Sequence, residues 1–136
     1  KSHAPNSISD SVFRQDRGYV GGSVALSQSS HTSERVMSWM RNCTLSHNSA
    51  TIGGAVDLES GRWEISDSRF LENESEDDGG AVHINNADNT RFLRCVFAHN
   101  FVGDDGVLDV EEGELWIEES LFDANEAGDS GGAFYS

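Results

Sequence analysis

Gly53-Gly54-Ala55-Val56-Asp57-Leu58 returns 26 residues later as Gly79-Gly80-Ala81-Val82-His83-Ile84. Paired glycines weaken helices and strands alike, so a chain that repeats them before an apolar-alternating segment uses them as corners. Outward from this stretch the pattern continues, with Gly21-Gly22 before SVAL, Asp105-Gly106 before VLDV and Gly131-Gly132 before AFYS. The steps are 53 − 21 = 32, then 26, 26 and 26. A second marker keeps time with the first: FRQD from Phe13, LSHN from Leu45, FLEN from Phe70, FAHN from Phe97 and FDAN from Phe122. Two markers in one register define a repeat.

After each glycine pair, apolar residues alternate: Val24 and Leu26, Val56 and Leu58, Val82 and Ile84, Leu108 and Val110. Period two is a strand with one buried face. A second short run follows around Met40, Ile65, Phe92 and Ile117, and a third ends on the Leu or Phe of the second marker. Three short strands in about 26 residues make one coil of a parallel β-helix. The expected fold is therefore all-β, a single-stranded parallel β-helix of roughly five coils. Coils repeat at ~4.8 Å, so like positions stack in columns.

The columns account for the residue choices. Phe13, Leu45, Phe70, Phe97 and Phe122 fill the interior as a stack. Two places earlier, Ser11, Cys43, Ser68, Cys95 and Ser120 are small, which reads as room for the rings. Asn48, Asn73, Asn100 and Asn125 form a ladder of side-chain amides at a turn. Gly53, Gly54, Gly79, Gly80, Gly106, Gly131 and Gly132 are coil corners. The six extra residues of the first full unit fall in a corner loop at 27–38, and residues 1–7 are a flank containing the lone Pro5. The whole of 1–136 reads as one β-helix segment of a longer protein, since it opens without Met and stops partway through a repeat.

The markers GGA-[ILV] and F-x-x-N resemble the repeats of the chlamydial polymorphic outer membrane proteins. Clean glycine markers stand at Gly53, Gly79 and Gly131, and clean F-x-x-N markers start at Phe70, Phe97 and Phe122. Departures are GGSV at Gly21, DGVL at Asp105, Leu45 for Phe and Asp16 for Asn. The resemblance implies a right-handed β-helix and a role in adhesion or surface display.

Net charge is −15, with 24 acidic residues against 9 basic ones, which argues against nucleic acid or an anionic membrane as partner. No apolar run approaches the ~20 residues of a membrane-spanning helix, so direct insertion by this segment is not expected. Cys43 and Cys95 share a column two coils apart, roughly 10 Å; a disulfide needs Cα atoms within about 7 Å. They read as buried thiols.

Several clusters invite a chemical reading. His47, Glu72 and His99 share an outward column that could grip a transition metal, but an exposed, charge-balanced column is the plainer account. Acidic turns at Glu74–Asp78, Gly103–Asp105 and Glu126–Ser130 are the one candidate for calcium, against solvated turns that keep the edge soluble. Asp57 and Asp109 flank His83 in an outward column, with Arg69, Arg91 and Arg94 on other strands; many parallel β-helices cleave acidic polysaccharides with such Asp clusters. Short turns build no cleft, and the net charge repels that substrate. Sequons occur at Asn42-Cys43-Thr44 and Asn73-Glu74-Ser75. Modification of Asn73 would disrupt its ladder, whereas Asn42 faces outward. Trp39 and Trp116 face out on one side, as a contact surface or paired with neighbours.

The expectation is a non-catalytic β-solenoid of an extracellular or cell-surface protein. It needs no cofactor or metal, and its partners are proteins or further coils. The alternative is a carbohydrate-binding or polysaccharide-cleaving β-helix of the pectin-lyase-like type.

Overall fold

A computed structural model describes residues 5–27 and 36–135. The corner loop expected at 27–38 thus falls largely outside the described residues, as does most of the N-terminal flank. Every strand pairing within the three sheets is parallel, and no described residue is helical. The chain is a β-solenoid of about four turns.

Three walls build each coil. The long wall carries Ser7–Ser9, Val24–Ser27, Met37–Arg41, Val56–Ser66, Val82–Leu93, Leu108–Val110, Gly113–Glu118 and Phe134–Tyr135. The first two expected strands of a coil thus fuse in the middle coils into single strands of 11 and 12 residues. The second wall is the Phe marker: Val12–Arg14, Thr44–Ser46, Arg69–Leu71, Val96–Ala98 and Leu121–Asp123. A third wall of two-residue strands, Ser49–Ala50, Glu74–Ser75, Phe101–Val102 and Glu126–Ala127, was not foreseen. Two acidic stretches read as turns, those starting at Glu74 and Glu126, therefore begin with a strand.

Phe13, Leu45, Phe70, Phe97 and Phe122 stand in register across the second wall. Rings of Phe70 and Phe97 stack at 4.7 Å and those of Phe97 and Phe122 at 4.6 Å, with Phe92 edge-on to the first two. Fully burying one such side chain contributes roughly 2–3 kcal/mol, so this column is the spine of the core.

Beside it runs the amide ladder. Each Asn Nδ2 donates to the Oδ1 of the next coil, Asn48 to Asn73, Asn73 to Asn100 and Asn100 to Asn125, all at 3.0 Å. Each Oδ1 also accepts a backbone N–H from the coil before, beginning with Asp16 onto Asn48. The remaining amide hydrogen reaches back to a carbonyl of the preceding coil, as from Asn73 to Leu45 and from Asn100 to Phe70. Buried polar groups must be paired, and here one side chain satisfies a backbone N–H and a backbone carbonyl of the preceding coil while bonding the amide of the next.

The small column does more than leave space. Ser68 Oγ donates to the Ser66 carbonyl and accepts the Cys43 N–H, and Ser120 repeats this with Glu118 and Cys95. Hydrogen bonding at the corner between the first two walls therefore sets the residue type. Cys43 and Cys95 are both free and buried.

Two positions in every coil take left-handed backbone without glycine. Asp10, Asn42, Asp67, Arg94 and Glu119 turn the first corner, and Gln15, His47, Glu72, His99 and Ala124 turn the second, with φ of 48–59°. Asn, Asp and His are enriched in that region. At the third corner Gly21, Gly53, Gly79 and Gly131 take φ of 60–65°. A Cβ at Gly79 would meet the Val82 carbonyl oxygen at 2.6 Å, so there conformation and space both require glycine.

One corner departs from the expected alignment. Asp105 pairs with Asp78 and Ser130, the residues before the glycine pairs, so it does not replace the first glycine. This corner is one residue short and Gly106 is not left-handed. The missing residue is balanced within the same coil by a one-residue bulge between Ala87 and Asn89 in Val82–Leu93. The two changes cancel, and the 26-residue step survives.

Candidate functional site

The outward column of the long wall runs Ala25, Asp57, His83, Asp109 and Tyr135 in strict register. Its neighbours Val56, Leu58, Val82 and Ile84 point into the core, so alternation places Asp57 and His83 on the opposite face. The sequence predicts that face to be open to water. It is not: Asp57, His83 and Asp109 are each under 5% exposed. The left-handed glycine corner folds back over the column so closely that a Cβ on Gly53 would lie 3.4 Å from Asp57 Cβ. At Asp57 this corner is a cover as well as a turn.

Beneath it His83 is held from both sides. Its Nδ1 lies 2.7 Å from Asp57 Oδ1, and its Nε2 lies 3.7 Å from Asp109 Oδ2 and 3.5 Å from Glu111 Oε1. The Asp57 carboxylate only accepts, so Nδ1 carries the proton facing it. Nε2 is buried and makes no hydrogen bond. Burial pulls the imidazole pKa down, but the Asp57 hydrogen bond and the charges of Asp57, Asp109 and Glu111 outweigh it and the net shift is upward. Burial pushes the Asp109 carboxyl up to about 6; His83 opposes this, while Asp78, Glu111 and Asp105 add to it. Asp78 and Asp105 are also raised, by burial first and by neighbouring carboxylates as well.

The other clusters are looser. His47 Nε2 pairs with Glu72 Oε2 at 3.1 Å on an exposed edge, and both residues are there to turn the corner. Among the described residues no three His, Cys, Asp or Glu side chains are grouped so that they could hold a metal ion. Arg94 grips Asp67 through two hydrogen bonds and Arg91 bonds Glu118, so these arginines serve coil-to-coil pairs. Trp39 and Trp116 do share an outward column, with Glu64 and Arg91 between them. Trp39 is half-buried beneath the Arg41 guanidinium, whereas Trp116 is 57% exposed. Asn42 donates its amide to Asp10 on the surface, and Asn73 is 1% exposed within the ladder. A polar groove of about 340 Å³ lies along the third wall, lined by Arg17, Ser49, Thr51, Glu74 and Glu76, and shares no residue with the His83 cluster.

Burial of this cluster was the feature missed in the sequence, where alternation gives the side of a strand but not what lies over it. The chain matches no protein-family model, no curated protein and no solved structure.

Proposed function

We propose that this chain is a non-catalytic structural and interaction module, a stiff acidic β-solenoid within an extracellular or cell-surface protein. The observation that carries this reading is the unbroken coil-to-coil bonding from Asp16 to Asn125, alongside the ring stack from Phe70 to Phe122. Such bonding suits a rod that holds outward side chains at fixed spacing and meets its partners along flat faces. The row Trp39–Glu64–Arg91–Trp116 is the face best furnished for protein contact, with aromatic ends and a charged centre. The resemblance of the GGA-[ILV] and F-x-x-N repeats to those of the chlamydial polymorphic outer membrane proteins supports the same reading, since it implies adhesion or surface display.

The competing reading is a polysaccharide-cleaving β-helix. Asp109, held near 6, has the titration that an acid–base catalyst uses. Its side chain is only 5% exposed, however, which denies a polymer access to it. A turnover assay on polygalacturonate and alginate separates the two. No product is expected; product that disappears in Asp57→Asn or Asp109→Asn, with folding intact, would establish the enzyme instead.

A further inference from the structure

We infer that the outward face carrying Trp39, Glu64, Arg91 and Trp116 is a self-association surface, on which a second copy of this chain docks with its coil axis reversed. The inference rests on the reading of this row as a protein-contact face and narrows it to one partner.

The order of the row carries it. Trp39, Glu64, Arg91 and Trp116 stand on four successive coils in one register. Coils repeat at ~4.8 Å, so the row spans roughly 14 Å and its midpoint falls between Glu64 and Arg91. A two-fold axis through that midpoint, parallel to the strands, sets each outward column against its own reverse. Trp39 then faces Trp116 of the second copy, and Glu64 faces its Arg91, each contact occurring twice. The next outward column, two residues along the same strands, runs from Arg41 to Glu118 over the same four coils. Its ends are of opposite sign, so the same axis sets Arg41 against Glu118 of the second copy. A two-fold interface between identical chains must be self-complementary, and both columns meet that condition when reversed. With coil axes parallel instead, Glu64 would meet Glu64 and Arg91 would meet Arg91.

Charge is the second observation. A chain of net charge −15 repels its own copies. On this face two arginines balance two glutamates in a run of ion pairs: Arg41 to Glu64 at 3.0 Å, Glu64 to Arg91 at 4.0 Å and Arg91 to Glu118 at 2.8 Å. The four side chains remain 24–54% exposed. A guanidinium offers several donors and a carboxylate several acceptor sites, so each keeps capacity for a partner across the interface. The third observation is the aromatic ends. Trp116 is 57% exposed, and the Arg41 guanidinium lies 5.5 Å from the centre of the Trp39 ring. Reversal brings Trp116 of the second copy to this cation, an aromatic–guanidinium pairing of the kind that anchors interfaces. The patch is four coils deep and one short strand wide, roughly 14 by 17 Å. That falls well below the ~800 Å² each partner gives a standard interface, so the pair is weak and reversible.

Sedimentation equilibrium on the whole chain tests this. A monomer–dimer equilibrium with a dissociation constant of about 10 μM to 1 mM is expected. Trp116→Ala should weaken it by at least ~30-fold, the loss typical of an anchoring aromatic. Glu64→Arg and Arg91→Glu should each weaken it by ~10-fold or more, since each sets like charges face to face. Mixed in equal amounts, these two variants should pair again, because every facing position in the mixed dimer is once more of opposite sign. Circular dichroism checks that each variant folds. Should one of them fail to fold, Arg41→Glu and Glu118→Arg at the margin form a second such couple, with the same loss alone and recovery together. Absence of dimer up to about 1 mM overturns the inference. So does association that is unchanged in Trp116→Ala, that grows beyond the dimer by end-on stacking, or that does not return on mixing. None of these outcomes touches the non-catalytic reading, which fails on polysaccharide turnover instead.

Discussion

Replacing Asn100 by alanine is the sharpest probe of what holds the coils together. The residue is 1% exposed. Its Oδ1 accepts both the backbone N–H and the side-chain amide of Asn73 at 3.0 Å, and its Nδ2 donates to the Phe70 carbonyl at 2.9 Å. Truncation leaves two buried donors of Asn73 without an acceptor, and each orphaned buried group costs about 1–3 kcal/mol. A loss on the order of 3–5 kcal/mol is therefore expected, a large share of the stability of a domain this size. Asn125→Ala removes the same chemistry one coil later, where the ladder is only part-buried and water can replace the lost acceptor. It should cost only about 1 kcal/mol. Guanidinium unfolding followed by far-UV circular dichroism measures both, with a common slope required before midpoints are compared. In thermal melts the central variant should fall by roughly 10–20 °C, given ~2–8 °C per kcal/mol for domains of this range. Equal losses for the two variants, both below about 1 kcal/mol, would refute the idea that the buried ladder anchors coil to coil.

Three further outcomes follow from particular groups. Burial raises the Asp109 carboxyl to about 6 in the fold, so the stability it contributes is fully present below its unfolded pKa and lost as pH rises through the folded one; melting temperature should fall between about pH 4 and 6, and Asp109→Asn should flatten that decline. Burial lifts the Cys95 thiol to about 11, and Cys43 is 1% exposed, so a thiol reagent should label neither in the native protein and both in denaturant; rapid native labelling would contradict the packing. Gly79→Ala must adopt φ +60° and meet the Val82 carbonyl at 2.6 Å, whereas a methyl at Gly132 meets nothing within 4 Å, so the first should cost more than about 2 kcal/mol and the second under 0.5, read from chemical denaturation.

Translational repetition made most of the fold legible. A column such as Phe70, Phe97 and Phe122 announces itself because identical environments recur at each coil, and a period survives noise at any single position. Asn73 and Asn100 were readable as a ladder for the same reason. What repetition conceals is phase within a coil. The bulge near Ala87 and the short corner at Asp105 cancel, so counting from glycine to glycine finds 26 residues and misses both. The third wall was invisible because a two-residue strand such as Glu74–Ser75 carries no periodicity of its own. Alternation placed Asp57, His83 and Asp109 on the correct side of the strand but could not give their burial, which depends on what lies over that side. That is a fact of three-dimensional path and leaves no mark in the pattern of apolar residues.

The amide ladder also has a sense. A backbone N–H can only donate, and every ladder Oδ1 accepts one from the preceding coil, so no rung can be flipped without setting donor against donor. All four side-chain carbonyls are therefore aligned, and their dipoles add along the axis as peptide dipoles do along a helix. The stack is polar from end to end. Its first described rung is Asp16, whose carboxylate cannot donate an amide hydrogen to Asn48, and at Asn125 the side-chain amide can still donate to a further coil. A solenoid of this kind reads like a vector: its coils share one direction, and its two faces along the axis differ in hydrogen-bonding character even where their shapes are alike.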